Sequence, residues 1–370
     1  MRVLHVITGL NAGGAEHQLR LLLRGLGDVE CEVVTLTDPG PVADAIRADG
    51  IPVHVLRMRG NNDVTALPRL VRLIRAGRFD VVHTHLYRAC VYGRIAARLA
   101  GVRHVVATEH SLGDGQIEGR RTTAAVRALY LAAERIAGGP TVAVSQAVEQ
   151  RLVAWGVRPS RVTVIPNGID PAELAFDDRR RRVTRERYGI AADALVVGGL
   201  GRLEPTKRFD LLIEAVRTLP GVTLLLVGDG SARQQLEAQA QCIADRVVFA
   251  GATDHARDAL CAMDLLAAPS EQETFNLAVL EALANGLRVL YTTCPPLDEV
   301  TEPVAAVKAA ATKLPPEAAR YREAIRAELS TMDTRDAAQV PYAAGALADA
   351  VRDLYANLAN RSPEAAGKRR

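Results

Sequence analysis

Two successive rounds of alternating strand and helix constrain this chain more than any other feature. In the first half, β-rich apolar runs fall at 2–8, 32–37, 53–57, 80–86, 103–108, 141–145 and 162–166. Helical patterns at 15–26, 41–49, 66–77, 91–100 and 122–137 lie between them. The second half repeats the scheme, with strands near 195–200, 222–227, 246–250, 264–268 and 288–292. Its helices fall near 208–218, 231–241, 255–262 and 276–285. Strands separated by helices run parallel, so the pattern predicts two α/β domains, each a parallel sheet with helices on both faces. A chain of 370 residues suits two cores better than one. The boundary is expected at Asn167-Gly168-Ile169-Asp170-Pro171, before the charged run Asp177 to Arg182, giving domains 1–168 and 169–341. A last helix at about 342–360, with Leu347, Val351, Leu354 and Tyr355 on one face, is expected to pack back on the first domain. The tail Arg361–Arg370 is expected to fray.

Composition excludes several function classes. Apolar residues make up 48% and charged residues 24%, the balance of a water-soluble globular protein. No apolar run approaches bilayer length, and the N-terminus enters the strand Arg2–Thr8 without a secretory pattern. The five cysteines are scattered and show no CxxC or Cys/His ligand spacing, which predicts inert thiols in a reducing cytoplasm. The basic excess lies in the first half, which holds arginine and no lysine, and this asymmetry suits an anionic partner. One segment carries Arg69, Arg72, Arg75 and Arg78 among Leu67, Leu70, Leu73 and Ile74. It reads either as a basic face for peripheral contact with anionic lipid, or as a solvated helix with its leucines in the core. Aromatic residues are only 4% and do not interleave with the arginines, which argues against nucleic acid as a partner.

In open α/β sheets, ligands bind beyond the carboxyl ends of the strands. That rule sorts the candidate residues. Strand one ends in Gly9-Leu-Asn-Ala-Gly13-Gly14-Ala15-Glu16, where glycines serve equally for a turn or for backbone approach to a phosphate at a helix N-terminus. A GxGxxG is absent, although Asp38 after the second strand leaves a nicotinamide enzyme as a weak alternative. Strand 195–200 leads into Gly201-Arg202-Leu-Glu-Pro-Thr-Lys207, and Lys207 is the first lysine of an arginine-dominated chain. A compact ammonium beside a planar guanidinium suits a diphosphate, and two solvated loop cations are the plainer reading. Asn276 to Ala284 is almost wholly apolar, so it predicts a buried helix, yet it carries Glu281 in its middle and follows Glu273. A buried carboxylate needs a donor, and no Arg or Lys lies within a turn of Glu281, so its partner is distant in sequence or is a ligand such as a vicinal diol.

The chain resembles family-4 glycosyltransferases of the GT-B fold, retaining enzymes that use nucleotide-sugars. The resemblance runs over nearly its whole length: Gly13-Gly-Ala-Glu16, Val81-Val-His-Thr-His85, Thr108-Glu-His110, Val142-Ala-Val-Ser145 and Val164-Ile-Pro-Asn-Gly-Ile-Asp170. It continues through Gly201-Arg-Leu, Lys207, Leu226-Val-Gly-Asp-Gly230, Val247-Val-Phe-Ala-Gly251 and Pro269-Ser270 leading to Glu273-x7-Glu281. Each motif alone is weak; their order and spacing together are specific. The resemblance implies two Rossmann-like doubly wound domains facing across a cleft. It implies transfer from a nucleoside diphosphate donor, UDP-linked, to a hydroxyl of a saccharide, lipid-linked or small-molecule acceptor, in cell-surface polysaccharide or glycolipid assembly. It places the enzyme in the cytoplasm or peripherally at the inner face of the plasma membrane.

Residue by residue, the resemblance gives Glu281 the ribose hydroxyls and Glu273 the donor sugar. It gives the amides around Phe275, Asn276 and Leu277 the sugar and phosphates, and Arg202 and Lys207 the departing diphosphate. The backbone at Gly13 and Gly14 would close on the phosphate, and His110 would touch the sugar near the reacting centre. His83 and His85 are less secure, since strand 80–86 could pack them inward. No Asp-x-Asp occurs in the chain, so no metal and no cofactor beyond the donor is expected. Retention would follow from front-face substitution, with the leaving phosphate helping to deprotonate the acceptor. Other readings are a natural-product glycosyltransferase, a UDP-sugar 2-epimerase or phosphorylase on the same fold, and a non-catalytic binding subunit. The sequence departs from the family at Thr274 and Asn276, where glycine is common, and at Thr293–Glu299, which replaces a glycine-rich turn. The stretch 301–340 is abbreviated and alanine-rich.

Overall fold

The computed structural model describes residues 1–60, 63, 65–118, 120–299, 305–331, 335, 337, 338, 340 and 342–360. The chain divides into two compact units, one built from Met1–Gly168 with the segment from Ala344 onward, the other from Ile169–Ala343.

The first unit is built on seven parallel strands: β1 (Arg2–Ile7), β2 (Glu30–Thr35), β3 (Val53–Val55), β4 (Val81–His85), β5 (His104–Glu109), β6 (Thr141–Ala143) and β7 (Val162–Val164). Their order is β7-β6-β5-β4-β1-β2-β3. Val3, Leu4, Val6, Ile7, Val82 and Val106 are all fully buried, as expected where helices cover both faces of a parallel sheet. Three two-residue strands within 112–121 form a small separate sheet. Helix Ala344–Asn360 buries Leu347, Ala348, Val351 and Tyr355 in the same core as Leu19, Leu22 and Leu23 of helix Gly14–Gly25. The side chain of Gln18 on that helix donates to the carbonyl of Gly168 and accepts from its amide, both at 2.8 Å. This double bond pins the last residue of the unit's first segment. The segment Arg361–Arg370, expected to fray, lies outside the described residues.

The arginine-rich segment resolves as helix Ala66–Gly77, and its apolar side is not offered to lipid. Leu70, Val71 and Ile74 are buried, with Leu67 and Leu73 packed against the same core. Arg69 pairs with Asp63 and donates to the Leu56 carbonyl, and Arg75 donates to that of Leu99. Arg72 and Arg78 are exposed.

The second unit is built on six parallel strands: β8 (Leu195–Leu200), β9 (Val222–Val227), β10 (Val247–Gly251), β11 (Leu265–Ala268), β12 (Arg288–Tyr291) and β13 (Ala311–Lys313). Their order is β10-β9-β8-β11-β12-β13. Within each unit the strand order therefore reverses between the first strand and the fourth, the point at which loops on the carboxyl side diverge and leave a crevice. Strand β13 and helix Ala318–Ser330 fall in the alanine-rich stretch that the sequence left unassigned.

The charged run after the boundary is a helix, Asp178–Arg187, capped by Asp177 accepting from the Arg180 amide. Arg185, whose side chain is 3% exposed, meets Asp264 at 2.9 Å, and Arg181 meets the same carboxylate. Asp264 also accepts from the amide of Val196, which ties this helix to the starts of β8 and β11.

Candidate active site

The reversal point of the second unit lies between β8 and β11, which are paired in the sheet. The loop after β8 carries Arg202 and Lys207; the loop after β11 carries Glu273 and leads into helix Leu277–Ala284. Glycine is required where β8 and β9 end. Gly228 has φ +142, and a Cβ there would lie 1.9 Å from the Gly201 carbonyl oxygen. The two strand ends can therefore close together, and the Arg202–Lys207 loop starts from that junction.

Lys207 Nζ donates to Glu273 Oε1 at 2.5 Å across the reversal point, so two residues singled out separately form one ion pair. Glu273 is buried, whereas Lys207 is half-buried. Arg208, at φ +53, pairs with Asp210 and Glu271, which occupies the next cation in the loop with structural contacts. Arg202 is exposed, and its guanidinium makes no hydrogen bond or ion pair with a described residue. It is the cation left available for an anionic ligand.

Helix Leu277–Ala284 begins at Asn276, whose φ of +69 and ψ of +63 are left-handed. Of the non-glycine residues, asparagine tolerates that conformation best, and Asn276 Nδ2 donates to the Thr293 carbonyl at 2.8 Å. The departure from glycine thus keeps the expected backbone path. The Asn276 side chain does not cap the helix, and no acid lies in its first turn, so the N-terminal amides keep their affinity for an anion. Phe275 does not face solvent; it is buried with its ring edge-on to Tyr342, centroids 5.6 Å apart. The Thr293–Glu299 segment forms a short helix from Pro295 to Asp298, its Cys294 amide bonded to the Asp298 carboxylate.

The expectation of a helix buried all round needs correction. Val279, Leu280, Ala282 and Leu283 are buried, but Leu277, Ala278 and Glu281, which share one face, are half-buried. The apolar strip is therefore interrupted by an opening that contains the carboxylate. The Glu281 carboxyl is still surrounded densely enough that burial pushes it up to about 7. Among the described residues none donates a hydrogen bond to it. Of the two partners the sequence allowed, a distant side chain is absent from the described residues.

In the first unit, Gly13 is the residue before helix Gly14–Gly25, with an extended φ of −142 that any residue adopts. A Cβ on Gly13 would fall 2.4 Å from Glu16 Oε2. The first-turn carboxylate of Glu16 thus already lies at the positive end of the helix, and a phosphate arriving at Gly13 and Gly14 would have to displace it.

His110 follows β5 and is half-buried, with burial lowering it to about 4. Its Nε2 meets His85 Nδ1 at 3.2 Å, and His85 Nε2 meets His5 Nδ1 at 3.1 Å. His83 is satisfied at both nitrogens, by Tyr355 Oη at 2.6 Å and Thr108 Oγ1 at 2.7 Å. Burial holds all four imidazoles neutral, His5 down at about 3 and His83 and His85 well below the usual range. His5, His83 and His85 place ring nitrogens within 4.8 Å of one another, a spacing compatible with a cation. The hydrogen bonds of His83 to two hydroxyl groups argue for a polar network rather than a ligand set. The sequence reading set His83 and His85 aside and missed His5. Their alternation on two neighbouring strands was the available signal, since His5 and His83 are register partners.

Among the described residues no helix is long and apolar enough to cross a membrane. Residues 12–173 match Glycosyltransferase Family 4, and residues 194–330 match the glycosyl transferases group 1. A GDP-mannose-dependent alpha-mannosyltransferase of Mycobacterium tuberculosis is 33% identical over 279 residues, covering 72% of this chain and 71% of its own. A UDP-Gal:alpha-D-GlcNAc-diphosphoundecaprenol alpha-1,3-galactosyltransferase of Escherichia coli is 27% identical over 263 residues, 68% of each chain. The crystal structure of Anabaena HepE in complex with UDP-glucose superposes with a TM-score of 0.77 at 24% identity, covering 97% of this chain and 98% of that one. That of WaaG, a glycosyltransferase involved in lipopolysaccharide biosynthesis, gives 0.66 at 19% identity over 98% and 96%. With two Rossmann-like units, matches to glycosyltransferase families in both halves and relatives that are themselves glycosyltransferases, the chain belongs to family 4 of the glycosyltransferases and has the GT-B fold.

Proposed function

We propose that this glycosyltransferase moves a sugar from a UDP-linked donor to an acceptor hydroxyl, with retention of anomeric configuration and without a resident metal. The observation that carries the reading is the set of residues that follow β8 and β11 in the second unit: the Lys207–Glu273 pair, and the guanidinium of Arg202 and carboxylate of Glu281, neither of which has a partner among the described residues. Glu281 accepts from the ribose diol, which supplies the donors it lacks. Arg202 and Lys207 meet the diphosphate, whose charge grows as the glycosidic bond breaks, and the open amides of Leu277–Ala284 add to that stabilisation. Glu273 keeps Lys207 in place and turns to the sugar hydroxyls. His110 and the turn at Gly13 and Gly14, from the first unit, are assigned to the sugar and phosphate. No side chain is assigned as a covalent nucleophile; the leaving phosphate takes the acceptor proton.

The UDP assignment is supported by HepE having been solved with UDP-glucose, whereas the mycobacterial relative is named for GDP-mannose. A lipid-linked saccharide is the favoured acceptor, since the Escherichia coli relative is named for a diphosphoundecaprenol substrate. Contact with an anionic membrane would rest on charge alone, through exposed residues such as Arg72 and Arg78. A thermal-shift screen of nucleotide-sugars followed by assay of diphosphate release tests the proposal. UDP-sugars should stabilise the protein, uridine monophosphate should not, and release should depend on an acceptor. Release of UDP without any acceptor would favour an epimerase, and stabilisation by no nucleotide-sugar would refute the donor assignment.

A further inference from the structure

Among the described residues of the second unit, two non-glycine residues have positive φ: Arg208 at +53 and Asn276 at +69. Both lie on the segments that follow β8 and β11. Non-glycine residues in this conformation cost stability and persist where surrounding contacts hold them, often beside functional groups. Asparagine tolerates it well; arginine has no such advantage, so its side chain has to be held. All three guanidinium nitrogens of Arg208 are engaged. Nε and Nη2 form a fork on the Asp210 carboxylate at 3.1 and 3.2 Å, and Nη1 meets Glu271. Glu271 is also a backbone junction. Its amide donates to the Thr206 carbonyl at 3.1 Å, and its carbonyl accepts from Thr293 Oγ1 at 3.3 Å. Thr206 and Arg208, the two residues flanking Lys207, are therefore both tied to Glu271, while Lys207 itself reaches Glu273.

We infer that Arg208 is a positioning residue for Lys207: through Glu271 it clamps the loop after β8 to the loop after β11 and so fixes where the Lys207 ammonium stands. A half-exposed ion pair by itself contributes little to stability, and would not need a left-handed arginine to form it. The clamp acts on the backbone instead. A lysine head group rides on a flexible four-carbon stem, so a loosely held backbone would spread the ammonium over a wide volume. Ordering it would then oppose the binding of an anion, whereas a loop braced on both sides of Lys207 has it ordered beforehand. Glu273 holds the ammonium until the diphosphate arrives, and Arg208 keeps the backbone in place while it turns from one to the other. The functional consequence rests on the proposed placement of Lys207 against the diphosphate; the clamp does not.

The test compares Arg208→Gly, Glu271→Gln and Lys207→Ala in the full chain. Glycine relieves the left-handed backbone but loses the clamp, so stability and function should part. The melting temperature of Arg208→Gly should stay within about 3 °C of the wild-type value. Its affinity for UDP-glucose, measured by calorimetry, should fall about fivefold and its kcat about tenfold. Glu271→Gln keeps the backbone bonds and removes the charge, so it should show a smaller loss in the same direction. In a Lys207→Ala background, Arg208→Gly should lower neither quantity further, because it acts through Lys207. Wild-type affinity and kcat in Arg208→Gly would overturn the inference, and so would losses that add to those of Lys207→Ala. Hydrogen–deuterium exchange of the ligand-free protein tests the clamp by itself. The segment containing Glu271 should exchange its amides faster in Arg208→Gly, and unchanged exchange would overturn the clamp. Faster exchange together with a Lys207→Ala variant that binds and turns over normally would refute the placement of Lys207 at the diphosphate and leave the clamp standing.

Discussion

At the scale of single residues, the two glutamates differ in what holds them. Glu273 is buried and ion-paired with Lys207; Glu281 is half-buried, has no partner among the described residues and is raised by burial to about 7. Their variants should therefore fail differently. Glu281→Gln weakens the acceptor for the ribose diol, so it should weaken donor and free UDP alike by about tenfold, the worth of hydrogen bonds to a charged group. Glu273→Gln releases Lys207 from its counter-ion, so UDP binding should be unchanged or tighter while turnover falls. Calorimetry of UDP beside steady-state kinetics checks both, and loss of UDP binding in Glu273→Gln alone would reverse the assignment. The pH dependence follows from the same carboxylate. Diol donors favour the ionised form, so binding lowers the pKa of Glu281 from about 7. Below that value the free protein must lose a proton to bind, and UDP-glucose affinity should fall as pH drops through it, with proton release measurable at about pH 6.5. Glu281→Gln should show a flat profile over the same range.

At the scale of elements, the helix Leu277–Ala284 shows what could and could not be read in advance. Its apolar composition was legible, because a helix that buries Val279, Leu280, Ala282 and Leu283 must be written in such residues. The half-open strip of Leu277, Ala278 and Glu281 was not, because periodicity does not register which face a neighbouring loop leaves uncovered. The lysine–glutamate pair was equally hidden: 66 residues separate its members, and only the pairing of β8 with β11 brings their loops together. Helix Gln146–Trp155 went unassigned although Ser145 caps it and Gly156 ends it at φ +110. Its strand-like neighbour 141–145 claimed the cap residue. At the start of Leu277–Ala284, the left-handed Asn276 carries a prediction. Asn276→Gly loses the bond to the Thr293 carbonyl but relieves the backbone, so stability should change by no more than about 1 kcal/mol. Asn276→Val should cost roughly 1–3 kcal/mol, since a β-branched residue resists that conformation. Urea denaturation measures both, and equal stability of the two variants would show that the backbone there is not constrained.

At the scale of the whole molecule, two alternating α/β patterns specified two parallel sheets because each crossover helix leaves a hydrophobic period of its own, whereas the GT-B reading came from the resemblance of the ordered motifs to family 4. Of the two readings of residues 66–77, the fold decides only where the leucines go: Leu70 and Ile74 lie in the core, and contact with anionic lipid is left to the exposed arginines. The claim on which the account turns is that the carboxyl side of the second sheet binds a nucleoside diphosphate sugar through Arg202 and Lys207 without a metal. Calorimetric titration of UDP-glucose into the full chain, in excess EDTA, tests it most directly, comparing the wild-type protein with Arg202→Ala and Lys207→Ala. The account predicts saturable one-to-one binding in chelator that weakens about tenfold or more in each variant, the loss of a charge-assisted contact to phosphate. Binding that vanishes in EDTA and returns with magnesium or manganese, or that is the same in all three proteins, would contradict it.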